Sequence, residues 1–135
     1  MQFVDTNIFL RHLTGDDPLK AQACFALFKK AQQNQIQITT SETVIAEIIY
    51  ILSSKTLYNL AREQIRARLE PLLSLPGLKL PHRQTYLRAL ELYVSYSIDF
   101  EDALSCAHME REALKEIYSY DRDFDKIQTL KRLEP

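Results

Sequence analysis

Four carboxylates in this chain are of the type, and in the places, to do chemistry: Asp5, Glu47, Asp102 and Asp121. Asp5 follows a short apolar run, Gln2-Phe3-Val4, and precedes Thr6 and Asn7, which can cap a helix. That order reads as a buried strand delivering Asp5 to its C-terminal end, followed at once by a helical turn. In open parallel α/β sheets the crevice beyond the strand C-termini takes ligands, so Asp5 is expected on a site floor. Asp121 repeats this logic after the apolar-aromatic run Ile117-Tyr118-Ser119-Tyr120, although Asp121-Arg122-Asp123 also reads as a polar turn. Asp102, at about 100° per residue, shares a helical arc with Cys106, Met109 and Ala113. A carboxylate on such a face needs a partner, because an unpaired buried charge is costly or forces protonation. The competing account makes Asp99 an N-cap and Asp102 the third helical residue of a capping box, a position that normally takes the longer Glu or Gln. Glu47 borders an apolar helix face, one turn after Val44 and one before Ile51, where a snorkelling surface acid also fits. Glu42 reads as a dipole-favoured surface acid at a helix start. Glu110 falls on the inward arc beyond Asp102, where the plain account is a frayed helix end.

Taken together, two acids end strands, one opens an inward helical face and one borders the core. Clustered carboxylates repel, and at neutral pH they persist only if some are protonated or a cation joins them. Hard oxygen ligands, with no Cys or His at ligand spacing, select Mg²⁺ or Mn²⁺ over zinc. His12, His82 and His108 are scattered and are read as surface or packing residues.

Those acids must be positioned by alternating strands and helices. A short helix is predicted over Ile8–Leu13, broken at Thr14-Gly15, and a second starts at Asp16-Asp17-Pro18 with Leu19, Ala23, Ala26, Leu27 and Phe28 at helical spacing. Ile36–Thr39 alternates like a strand. Thr40-Ser41 caps a helix from about Glu42 to Ser54, with Val44, Ile45, Ile48, Ile49 and Leu52 inward. Further helices are expected over about Asn59–Ser74, Gln84–Ser97, and from Ile98 to about Leu114. Strands are expected at Leu78–Leu80 and Ile117–Tyr120, with one more possible strand or turn near Ile127–Leu130. This alternation predicts one domain over residues 1–135, a three-layer α/β/α arrangement on a mostly parallel sheet.

Composition narrows the classes. With 135 residues, 46% hydrophobic and 26% charged, the chain can bury roughly two-thirds of its unfolded surface. A net charge of −1 argues against coating nucleic acid by bulk charge but allows a local basic rim. Cys24 and Cys106 form no ligand-like or disulfide-dense pattern, which suits the cytoplasm, and no window approaches eighteen apolar residues, so no membrane span is expected. The two glycines, Gly15 and Gly77, are too few for a phosphate loop or a dinucleotide fingerprint.

The chain resembles PIN-domain nucleases, and more narrowly the VapC-type toxins of bacterial and archaeal toxin–antitoxin pairs. Four segments carry the likeness in order: Phe3-Val4-Asp5-Thr6-Asn7, Val44-Ile45-Ala46-Glu47-Ile48, Asp99-Phe100-Glu101-Asp102-Ala103-Leu104, and Tyr118-Ser119-Tyr120-Asp121-Arg122-Asp123-Phe124. The resemblance implies that Asp5, Glu47, Asp102 and Asp121 form a catalytic, metal-binding quartet supported by Asn7, Asp99, Ser119 and Asp123. Ser119 stands where the family more often has threonine, and the hydroxyl is kept. It also implies Mg²⁺-dependent hydrolysis of RNA leaving a 5′-phosphate and a 3′-hydroxyl, an antitoxin partner, and a homodimer. Whether one ion binds or two is open.

RNA near acids needs cations on the rim. Arg11, Lys55, Arg62, Arg66 and Arg122 are the candidates, each also readable as solubilising charge. Tyr50, Tyr58 and Tyr96 are candidates for stacking on single-stranded bases. Two rivals stand beside the nuclease: a catalytically silent PIN-like module that binds RNA or a protein, and a phosphatase-type hydrolase with Asp5 as nucleophile. The latter wants a second aspartate two residues on, where Asn7 stands.

Overall fold

The computed structural model describes all residues, 1–135. By contact density the chain divides into two compact units, Met1–Arg83 and Gln84–Pro135.

In the first unit β1 (Gln2–Phe3) pairs in parallel with β2 (Ile38–Thr39), in the register Gln2 with Ile38 and Phe3 with Thr39. Val4 N–H extends the ladder to Thr39 O at 2.8 Å. On the other side of β2, Leu78 makes a parallel bridge to Ile38, so β2 is central and Ile38 is buried. The predicted strand Leu78–Leu80 is reduced to that bridge, and Ile36–Thr39 to its last two residues. The expected burial of Gln2-Phe3-Val4 holds only for Val4; Gln2 and Phe3 are exposed.

Helix α1 (Thr6–Thr14) ends at Gly15, whose φ of 68° is left-handed and whose N–H closes on Arg11 O. Helix α2 (Pro18–Gln32) starts as its sequence asks, with Asp17 accepting from Lys20 N–H and Pro18 in the first turn. Its buried face, however, is Cys24, Phe28 and Ala31, whereas Leu19, Ala23 and Ala26 face water. Ring contacts with α1 decide this phase: Phe9 and Phe28 lie 5.1 Å apart, and His12 packs on Phe25 and Phe28. Helix α3 (Glu42–Ser53), capped by Ser41, buries all five residues predicted to face inward. Helix α4 (Arg62–Leu73) starts later than predicted, because Asn59 adopts φ 48° and Ala61 is the N-cap.

Arg83 is both the last residue of the first unit and the first of α5 (Arg83–Tyr96). In the second unit α5 is followed by α6 (Phe100–Arg111), β3 (Glu116–Tyr118), a 3₁₀ turn (Arg122–Lys126) and β4 (Lys131–Leu133). Arg88 binds both carboxylate oxygens of Glu110, at 2.8 and 3.0 Å, tying α5 to α6. That pair explains Glu110, which is not a frayed end. Tyr93 and Phe100 meet edge to face. α6 stops at Arg111, short of Leu114, because Ala113 turns left-handed at φ 57°. Ile127–Leu130 is a turn, one of the two forms expected there, closed by Leu130 N–H on Ile127 O at 3.1 Å, and β4 follows it to pair in parallel with β3. No helix is long and apolar enough to cross a membrane.

Candidate metal centre

Asp102, Asp121 and Asp123 offer carboxylate oxygens that all lie within 4.8 Å of one another. Three local structures bring them there. Asp102 sits in the first turn of α6, half-buried, on the same face as the buried Cys106 and Met109. Asp121 does not end a strand, since β3 stops at Tyr118; it caps the 3₁₀ turn, its Oδ1 accepting from Asp123 N–H at 2.9 Å. Ser119 Oγ in turn accepts from Asp121 N–H at 3.0 Å, fixing the start of that turn. Asp123 was expected only to support the quartet, but its carboxylate joins the cluster itself. No local pattern announces this; it follows from the tightness of the turn.

The cluster is electrostatically unbalanced. The Asp102 carboxyl is held above the ordinary carboxylate range, first by burial and then by Asp121, Asp99, Asp123 and Glu101. Lys126, 3.2 Å from Asp123 Oδ1, is the one basic group paired with the three, and that pair is exposed. The Cys106 thiol, one turn beyond Asp102 and buried, is pushed up to about 11 by desolvation and then by Asp102, which leaves it an unreactive packing group. Asp99 occupies the N-cap position of α6, but its side chain makes no capping bond. The capping-box account of Asp99 and Asp102 is therefore not realised. Three convergent hard oxygen donors, one of them disfavoured as an anion, fit a divalent hard cation such as Mg²⁺ or Mn²⁺.

Asp5 and Glu47 belong to the first unit. Asp5, not Thr6 or Asn7, is the N-cap of α1, and its side chain makes no capping bond either. Its carboxylate is exposed, as are Asn7 and Glu47. Thr6, buried in the first turn of α1, donates from Oγ1 to Glu47 Oε2 at 2.9 Å and so fixes that carboxylate. Thr6 escapes sequence reasoning because its partner lies on α3, 41 residues away. The buried Thr40 hydroxyl holds the strand end by donating to Val4 O at 2.8 Å.

Among the rim candidates, Lys55 and Arg122 are exposed, Arg11 and Arg62 are half-buried, and Arg66 is engaged with Glu70 at 2.9 Å. Tyr50 is exposed, while the Tyr58 hydroxyl donates to Asp16 Oδ2, clipping its loop to the turn between α1 and α2.

Comparison with known proteins places the chain in a family. The PIN domain family profile matches residues 3–130. The chain is 26% identical over 127 residues to a protein from Aquifex aeolicus (strain VF5) named VapC ribonuclease, covering 94% of this chain and 92% of the relative. The family match bears out the three-layer α/β/α class, and the pairings of both units are parallel.

Proposed function

Because this chain belongs to the PIN domain family, we propose that it is a Mg²⁺-dependent endoribonuclease, able to use Mn²⁺, acting as the toxin of a toxin–antitoxin pair. The observation that carries this reading is the convergence of Asp102, Asp121 and Asp123 with only one exposed lysine to offset them. RNA as substrate and an antitoxin as partner are supported by the likeness to the VapC ribonuclease. The family match runs from residue 3 to residue 130, which supports a single domain in which Asp5, Glu47, Asp102 and Asp121 act as one catalytic set. A homodimer in the cytoplasm belongs to the same proposal.

In this reading Asp5, Asp102 and Asp121, with Glu47, hold the ion, and Asn7, Asp99, Ser119 and Asp123 support them. A hard divalent cation there would supply positive charge and lower the pKa of water. Glu47, steadied by Thr6, or Asp121 orients the attacking water and accepts its proton at a carboxylate oxygen. The water oxygen bonds to phosphorus as the bond between phosphorus and O3′ breaks, and O3′ takes a proton from solvent, leaving a 5′-phosphate and a 3′-hydroxyl. Exposed cations at Lys55 and Arg122, with Arg11, Arg62 and Arg66, contact the RNA backbone.

Cleavage of a mixed RNA pool by the purified protein tests this. Activity with Mg²⁺ is expected to vanish in EDTA and to fall about 100-fold or more in Asp5→Asn. Undiminished cleavage by that variant would sink the metal-quartet reading. The pair of Asp123 with Lys126, which lets one acid persist without an ion, favours a second reading as a silent RNA- or protein-binding module. That module would bind the pool without cutting it.

A further inference from the structure

An open cavity of about 430 Å³ lies in the first unit, where the end of β2 meets the segment after Gly77, and Thr39, Lys79, Leu80 and Arg83 contribute to its walls. No carboxylate lines it. Both of its cations are held by backbone carbonyls: Lys79 Nζ donates to Pro76 O at 3.0 Å, and Arg83 Nη2 donates to Leu75 O at 3.3 Å and to Leu78 O. Neither enters an ion pair, whereas Arg66, Arg88, Arg111 and Arg132 each bind an acid. Arg83 Nε is buried with no acceptor at all. Carbonyl partners fix a cation without cancelling its charge, so this wall keeps its full attraction for an anion.

An aromatic residue shares a sheet face with one of its walls. Phe3 is the register partner of Thr39, and residues paired across a ladder project from the same face. Phe3 is 59% exposed, which leaves an aromatic surface open on this face. Asp5 lies two residues further along an extended backbone, on the same side of the alternating chain.

We propose that this cavity binds a backbone phosphate of single-stranded RNA through Lys79 and Arg83, with a neighbouring base stacked on Phe3 and the strand led on toward Asp5. The assignment rests on the RNA reading above and adds a subsite to it. A phosphate explains the paired cations, and a stacked base explains the exposed ring.

Fluorescence anisotropy of a labelled single-stranded RNA on the full-length protein in EDTA, across a salt series, tests the subsite. Lys79→Ala and Lys79→Glu are expected to weaken binding for every RNA sequence and to lower the slope of log affinity against log salt by about one. Phe3→Ala is expected to weaken it about five-fold or more with the slope unchanged. Should the alanine variant melt early, Lys79→Gln, which keeps a donor for Pro76 O, reads the charge alone. Unchanged affinity and slope in the lysine variants, while the parent still cleaves RNA with Mg²⁺, overturns the subsite and leaves the nuclease standing. A parent that neither binds nor cleaves RNA overturns both. Inorganic phosphate that shifts the Thr39 and Lys79 amide resonances, with the RNA slope unaltered, assigns the cavity to free phosphate and overturns the RNA assignment.

Discussion

In the metal-free protein Asp102 gains a proton more readily than in the unfolded chain, because burial and four neighbouring acids disfavour its charge. Between its unfolded and folded pKa values the native state binds more protons, so stability falls as pH rises through that window. At neutral pH the ionised carboxylate is a standing cost that a bound cation removes. Asp102→Asn is therefore expected to melt higher than the parent in EDTA at pH 7 and to lose the upward shift that Mg²⁺ produces in the parent. Thermal melts with and without Mg²⁺ check this, and a lower melting point for the variant in EDTA would contradict it. Thr6 gives the second residue-scale prediction. Thr6→Val keeps the shape of a buried side chain but removes the bond that steadies Glu47. It should cost about 1 kcal/mol of stability and lower kcat with KM little changed, while Thr6→Ser restores both.

Among the elements, the junction between α2 and β2 depends on Gly77. Its N–H donates to Ala31 O and its carbonyl accepts from Ile38 N–H, both at 2.8 Å. A Cβ there would lie 2.4 Å from Ile36 O and 2.6 Å from Ala31 O, against backbone that cannot swing aside. Gly77→Ala is expected to cost about 2–3 kcal/mol, read as a lower urea midpoint with the slope unchanged. Elsewhere the element ends resisted sequence reading for a definite reason. Asn59, His82, Ser97 and Ala113 all take left-handed φ at helix boundaries without being glycine. Neither Ala113 nor Ser97 carries a turn signal, so α6 was extended to Leu114 and α5 to Ser97. Helix α2 was misphased because its apolar residues occupy most of its circumference, and only the rings of Phe9 and His12 select Phe28 over Ala26.

For the whole molecule, the contact units Met1–Arg83 and Gln84–Pro135 fall within one family match spanning residues 3–130. One domain is the reading this supports, and it has a thermodynamic signature. Calorimetry should show a single transition in which the calorimetric and van 't Hoff enthalpies agree. Two resolved transitions would split the domain and, with it, the proposed quartet.

The chemical reading of the acids rests on residue type and local period alone. Acids after apolar runs and at a helix start, no ligand-spaced Cys or His, and too few glycines for a phosphate loop are properties of the chain read in order. Asp102 was legible because a 3.6-residue period sets it on the arc of Cys106 and Met109. Tertiary structure alone decided the rest. Asp123 joins Asp102 and Asp121, Thr6 holds Glu47, and backbone carbonyls hold Lys79 and Arg83. Each of these depends on partners distant in sequence or on the path of a tight turn, and neither leaves a mark on local periodicity. Asp5 shows the division most plainly: its neighbours announce a carboxylate after an apolar run, but its place as the N-cap of α1 comes only from the backbone.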